Sequence, residues 1–94
     1  MFGRILAADE DLGGGYYSEA RGKFERIVPD VEKGKFSSCF RWMAYDGYGQ
    51  LLIATHKKKK AIAILSRAVE EAKGLGSAQL SATQQHLESA EQMK

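Results

Sequence analysis

Four consecutive lysines, Lys57-Lys58-Lys59-Lys60, are the residues of this chain whose type and spacing point most directly to a chemistry. They fall at the expected start of a helix over residues 57–73, where unpaired backbone N–H groups and the helix dipole already concentrate positive charge. Each cation there costs roughly a few tenths of a kcal/mol at an exposed site, and the ammoniums repel one another. Stability alone does not select such a placement. A bound anion reverses the sign by drawing on free N–H groups and lysines together, and phosphate is the obvious candidate. The alternatives are a solvated patch screened by salt and a contact with an acidic protein surface. Arg41 and Lys35 extend the basic set. Tyr45 and Tyr48 flank Asp46-Gly47 and offer rings for base stacking, although tyrosines beside a turn more often pack at the end of a sheet.

Catalytic and metal-binding constellations are poorly supported. The histidines are His56 and His86, and pairing Cys39 with His56 as nucleophile and base would need two adjacent strands to place both side chains on one face. Asp9-Glu10-Asp11 reads as a solvated acidic turn, with neither the spacing of a calcium loop nor a His/Cys set for zinc. Gly13-Gly14-Gly15 lacks the Lys and Ser/Thr that follow a phosphate-binding loop. The expectation is a non-enzymatic protein with no cofactor and no metal.

The elements that must position the lysines follow from length and patterning. Ninety-four residues, 44% hydrophobic and 28% charged, fit one small core and leave little for an enclosed pocket. The net charge is only +2, but residues 33–60 hold seven cations against Asp46 alone, which makes that segment +6 and the remainder −4. Such asymmetry bears on partners rather than on fold. Cys39 is the single cysteine, so no intramolecular disulfide is possible and a reducing, cytoplasmic location is expected. The apolar run Ile5–Ala8 stops at the acidic triplet, too short for a signal-peptide core or a membrane span.

Ala61, Ile62, Leu65, Ala68, Val69 and Ala72 recur at helical spacing, with Thr55 as a suitable N-cap and Gly74 and Gly76 as a stop. Before them, Phe36, Ser38, Phe40, Trp42 and Ala44 alternate with polar and mixed residues, which predicts a strand over 36–45. Asp46-Gly47 reads as a hairpin turn and residues 50–55 as the returning strand. Phe2–Ala7 suits a short strand. Residues 16–28 fit helix or strand, with strand favoured because one hairpin cannot cover the helix, and Pro29 should end the element. Leu80, Thr83, Leu87 and Ala90 suggest a marginal helix over 78–91, whose narrow Leu80/Leu87 stripe could pair weakly with a second copy. The fold expected is α+β: three or four antiparallel strands against one helix, a domain over 1–76 and a helical or frayed tail over 77–94, with no internal repeat evident.

Strand, Asp-Gly turn, strand and a helix opened by Lys57, Lys58, Lys60 and Ala61 together resemble the C-terminal half of a double-stranded RNA-binding domain. The likeness covers residues 36–73 and implies phosphate contacts by the lysines. The glycine-rich approach of that family is replaced here by Leu51-Leu52-Ile53. Phe40-Arg41-Trp42 to Ala54 also resembles the hairpin of the small YegP-like domains. In size and architecture the chain is similar to phage-borne inhibitors such as anti-CRISPR proteins. Two functions follow as expectations. One is binding of an anionic partner, nucleic acid or nucleoprotein, through the lysines; the other is inhibition of a larger protein complex through exposed tyrosines and a sheet edge.

Overall fold

A computed structural model describes residues 1–94 as five α-helices: α1 (Phe2–Gly13), α2 (Tyr17–Lys33), α3 (Ser38–Ala54), α4 (Lys58–Ala72) and α5 (Ser77–Glu91). There is no strand and no sheet, so the expected α+β architecture is corrected to an all-helical bundle. With it go the strand at Phe2–Ala7, the strand reading of residues 16–28, the 36–45/50–55 hairpin, and both resemblances that rested on that hairpin.

The largest correction is α3, one continuous helix through the whole presumed hairpin. Its buried residues, Ala44, Tyr45, Asp46, Gly47, Gly49, Leu51 and Leu52, spread around most of the axis and leave only the side of Met43 and Gln50 open. A helix covered on most sides loses the one-sided apolar stripe that betrays an amphipathic helix. The alternation of Phe40, Trp42 and Ala44 then mimicked a strand. Gly47 and Gly49 are places of close approach and not turn residues. A Cβ on Gly47 would lie 2.7 Å from Asp9 Oδ1 and 2.8 Å from the Phe24 ring, and one on Gly49 would lie 2.3 Å from Leu65 Cδ2.

α2 runs through Pro29, which was expected to terminate it. Proline deletes one backbone rung, but Phe24, Ile27, Val28 and Val31 on both sides of it are buried and hold the helix down. The two C-terminal helices fall close to where periodicity puts them. Thr55 closes α3 instead of capping α4: its hydroxyl donates to the Leu51 carbonyl at 2.9 Å, and Lys57 occupies the N-cap position.

Each helix packs on its neighbours in sequence, and alternate helices touch as well, α1 on α3 and α3 on α5. The result is a two-layer zigzag with α1, α3 and α5 on one side and α2 and α4 on the other. Contacts between near neighbours in sequence are the pattern of stacked helix hairpins. The larger core cluster joins α1, α2 and α3, with Ala68 of α4, around Ile5, Phe24, Ile27, Val31 and Leu51. The smaller joins Leu52, Ala61, Leu65 and Ala90, with Leu87 packed against it, so that half of the Leu80/Leu87 stripe is engaged within the chain. No helix is long and apolar enough to cross a membrane.

Candidate functional site

The lysines sit at the corner where α3 turns into α4. Lys57, Lys59 and Lys60 are exposed, whereas Lys58 is partly covered and donates to the Met93 carbonyl at 2.6 Å, bringing the end of α5 against the start of α4. The corner bends at His56, whose φ of 60° is left-handed. The first turn of α4 holds no acidic residue, and no side chain caps its N–H groups. Of the ten cations outside the cluster six are matched: Arg4, Arg21, Lys23, Arg41, Arg67 and Lys73 each face a carboxylate, while Arg26, Lys33, Lys35 and Lys94 stand singly. None of the four clustered lysines faces a carboxylate.

The rest of the expected basic and aromatic set lies elsewhere. Arg41 is at the far end of the α3–α4 hairpin, roughly 20 Å away along the helix axis, where its Nε donates to Glu71 at 2.9 Å and its Nη1 to the Phe36 carbonyl at 2.6 Å. That bond holds the Glu71 carboxyl below the usual range. Lys35 is exposed in the α2–α3 connection at the same distant end. Tyr45 is buried, with its hydroxyl donating to Glu32 at 3.0 Å; burial first and Glu32 second push it up to about 12. Tyr48 stacks on Phe24 with ring centroids 5.9 Å apart. Neither ring is free to stack on a base. Cys39 and His56 occupy opposite ends of α3 and cannot form a pair.

A second constellation, unmarked by any motif, lies in the layer formed by α1, α3 and α5. Asp46 is buried on α3, and three side chains donate to it: Thr83 and His86 of α5 reach Oδ1 at 3.0 and 2.9 Å, and Gln50 reaches Oδ2 at 3.0 Å. Trp42 Nε1 donates in turn to Thr83 Oγ1 at 2.6 Å. Between α1 and α3 a cleft of about 320 Å³ opens onto this network, lined among others by Asp9, Trp42, Met43, Asp46 and Gln50. Asp9 is half-buried there and receives no hydrogen bond from another side chain. Partial burial, then the Asp46 charge, push its carboxyl up to about 6 from an ordinary 3.8. No buried side-chain nitrogen or oxygen of the chain lacks a partner.

The sequence held one signal for this site, a lone acid inside the apolar stretch from Phe40 to Ile53. The Asp-Gly turn motif masked it. Thr83 and His86 stand three residues apart on α5, which places both on one helical face, but only the fold shows that Asp46 is opposite them. No three His, Cys, Asp or Glu side chains are grouped to hold a metal ion.

No family model, curated protein or solved structure matches the chain. The functional reading therefore rests on the residues themselves.

Proposed function

We propose that this is a non-enzymatic interaction protein that binds an anionic partner, nucleic acid or a nucleoprotein complex, through Lys57, Lys59 and Lys60 at the start of α4. The observation that carries the reading is the clustering: exposed lysines without a carboxylate partner are gathered side by side at one helix N-terminus, while six of the ten other cations are matched and the remaining four are not contiguous in sequence. A phosphate at this corner would meet ammoniums and open backbone N–H groups at once. Lys58, tied to Met93, braces the corner and is not counted as a contact.

Contacts to about three phosphates give a slope of log K against log salt near −3 on duplex, and no base-reading side chains accompany them, so all sequences should bind alike. The test is a gel shift on duplex and single-stranded probes across a salt series, comparing wild type with Lys59→Glu/Lys60→Glu. The double reversal should abolish the shift. Retention of binding with an unchanged slope would overturn the reading.

A second reading, inhibition of a larger protein complex, is supported by a different surface. Phe2, Leu6, Tyr16 and Tyr17 are exposed on α1 and at the start of α2, and exposed aromatics are the usual anchors of a protein interface. A pull-down with and without nuclease separates the two. A protein partner that survives nuclease and the double reversal, and is lost with Phe2→Ala/Tyr17→Ala, selects the second.

A further inference from the structure

We propose that the cleft between α1 and α3 is a binding site for an alkylammonium group, carried by a free diamine or polyamine or by a lysine side chain of another protein. The cleft is negative in sign. Asp9 from α1 and Asp46 from α3 both line the cleft, and no lysine or arginine does. Lys23 and Arg41, on the neighbouring stretches of chain, are committed to Asp11 and Glu71. Two carboxylates thus share a concave site that no lysine or arginine lines, His86 being the one titratable group bonded to Asp46, and Asp9 accepts no hydrogen bond from another side chain.

Geometry then separates the roles of the two acids. Thr83, His86 and Gln50 hold Asp46 in a single orientation, which makes it a fixed negative wall of the cleft. Asp9 is the open acceptor. Its proximity depends on Gly47, because a Cβ there would lie 2.7 Å from Asp9 Oδ1 and force the carboxylate away. An ammonium has three N–H donors and no acceptor, so it can satisfy Asp9 and still sit in the field of Asp46.

The remaining walls suit the carbon stem. Trp42 lines the cleft with its indole N–H already spent on Thr83, so the ring is held in place and can present a face to a cation. Met43 and Leu12 offer flexible apolar surface to methylenes, and the volume of about 320 Å³ lies at the small end of ligand pockets. A divalent metal fits less well, since calcium and magnesium require six or more oxygen ligands in a close shell and no third acid joins the pair. Partial ionisation of Asp9 near pH 6 agrees with an unmet demand for positive charge.

Trp42 is the only tryptophan of the chain and stands in the cleft wall, so its emission reports the site directly. The experiment titrates the full chain at pH 7.5 with butane-1,4-diamine, with the uncharged butane-1,4-diol, and with the peptide acetyl-Ala-Lys-Ala-amide, following Trp42 fluorescence and the Gly47 amide and Trp42 indole signals by NMR. The cations should give saturable changes and the diol none. Asp9→Asn should weaken cation binding about tenfold or more, as loss of one charge-assisted contact implies, whereas Glu10→Gln, the same charge change at the exposed neighbouring position, should alter it less than about twofold. Tighter binding of the peptide assigns the site to a protein partner, and tighter binding of the diamine assigns it to a free amine. Absence of saturation, an equal response to the diol, or equal loss in the Asp9 and Glu10 variants would overturn the proposal. Should Asp9→Asn fail to fold, the diamine-against-diol comparison on wild type still decides.

Discussion

The hairpins α1–α2 and α3–α4 share six buried positions and differ in chemistry most sharply at one of them. Aligning the first residue of α2 with the first of α4 pairs Ala20 with Ala61, Phe24 with Leu65, Ile27 with Ala68 and Val31 with Ala72, all of them buried. The same offset pairs Ala8 with Gly49 on the first helices, small residues that let the paired helix approach. It also pairs Ile5 with Asp46. Where the first hairpin fills a core position with a fully buried isoleucine, the second places a carboxylate held by Thr83, His86 and Gln50. In the first hairpin this position is filled without charge, so a hydrogen-bonded acid at its counterpart marks a departure from the simplest packing solution. Departures of that kind cluster at functional sites.

The sharpest way to break the comparison is at the second hairpin's point of closest approach. Gly49→Val would drive its side chain into Leu65, and overpacking in a close-packed interior costs about 1–3 kcal/mol or more; Leu65→Ala opens a cavity worth about 2–5 kcal/mol. Leu65→Asp should abolish folding, because a charge would replace a fully buried side chain. The double variant Gly49→Val/Leu65→Ala should recover part of the summed loss, since the new methyls enter the space that leucine leaves. Chemical denaturation of the four proteins measures this. Strict additivity would mean that Gly49 and Leu65 do not meet as the structure shows.

How much of this was legible in the sequence follows from which faces are covered. α4 is covered on one side, so Ala61, Leu65, Ala68 and Ala72 stand out at helical spacing and its bounds came within a residue or so. α5 is covered on one side as well and was also readable. α3 is covered by α1, α2, α4 and α5, so its apolar residues follow no single period, and the glycines that permit close contact imitate turns. Pro29 misled in the same way, a local signal overruled by the burial of Ile27 and Val31. The lysine cluster was legible because it is contiguous. The Asp46 network was not, because Asp9, Asp46, Thr83 and His86 come from three helices and share no motif. The relation between the hairpins stayed hidden too, since it survives only in buried positions of varying size.

A smaller effect is expected at the position that distinguishes the hairpins. Asp46→Ala removes the acceptor shared by Thr83, His86 and Gln50, and leaving such groups unpaired costs about 1–3 kcal/mol. Asp46→Asn keeps the shape and one acceptor oxygen, so it should lose less than Asp46→Ala. The restoring test is the triple variant Asp46→Ile/Thr83→Val/His86→Leu, which rebuilds the apolar solution of the first hairpin. It should melt at or above the temperature of Asp46→Ala while losing any cation response of the cleft. If the triple variant melts well below Asp46→Ala, the acid is a structural requirement of the second hairpin and the comparison fails.

The smallest effect expected is also the most specific, because it depends on pH. Asp9 is an acid with its folded value raised to about 6 from 3.8. The folded state therefore holds this proton more tightly than the unfolded chain does, and the stability that the proton confers is fully present below pH 4 and lost as pH rises through about 6. Glu71 runs the other way: its value is lowered by the bond from Arg41, so its contribution is present above the ordinary carboxylate range and fades as pH falls through the lowered value. The two acids occupy different windows and can be separated by substitution. Facing Asp9 from α3 is Asp46, itself bound to His86 of α5, while Lys23 of α2 is paired with Asp11, so no cation of the chain offsets the charge that Asp9 acquires. Asp9→Asn cannot ionise, and should be more stable than wild type at pH 7.5 and close to it at pH 4 and below, with the difference growing between about pH 4 and 6 and level above that. Thermal melts across that range measure it. A wild-type profile that parallels that of Asp9→Asn from pH 4 to 7.5 would show that neither burial nor Asp46 raises Asp9 in the folded chain.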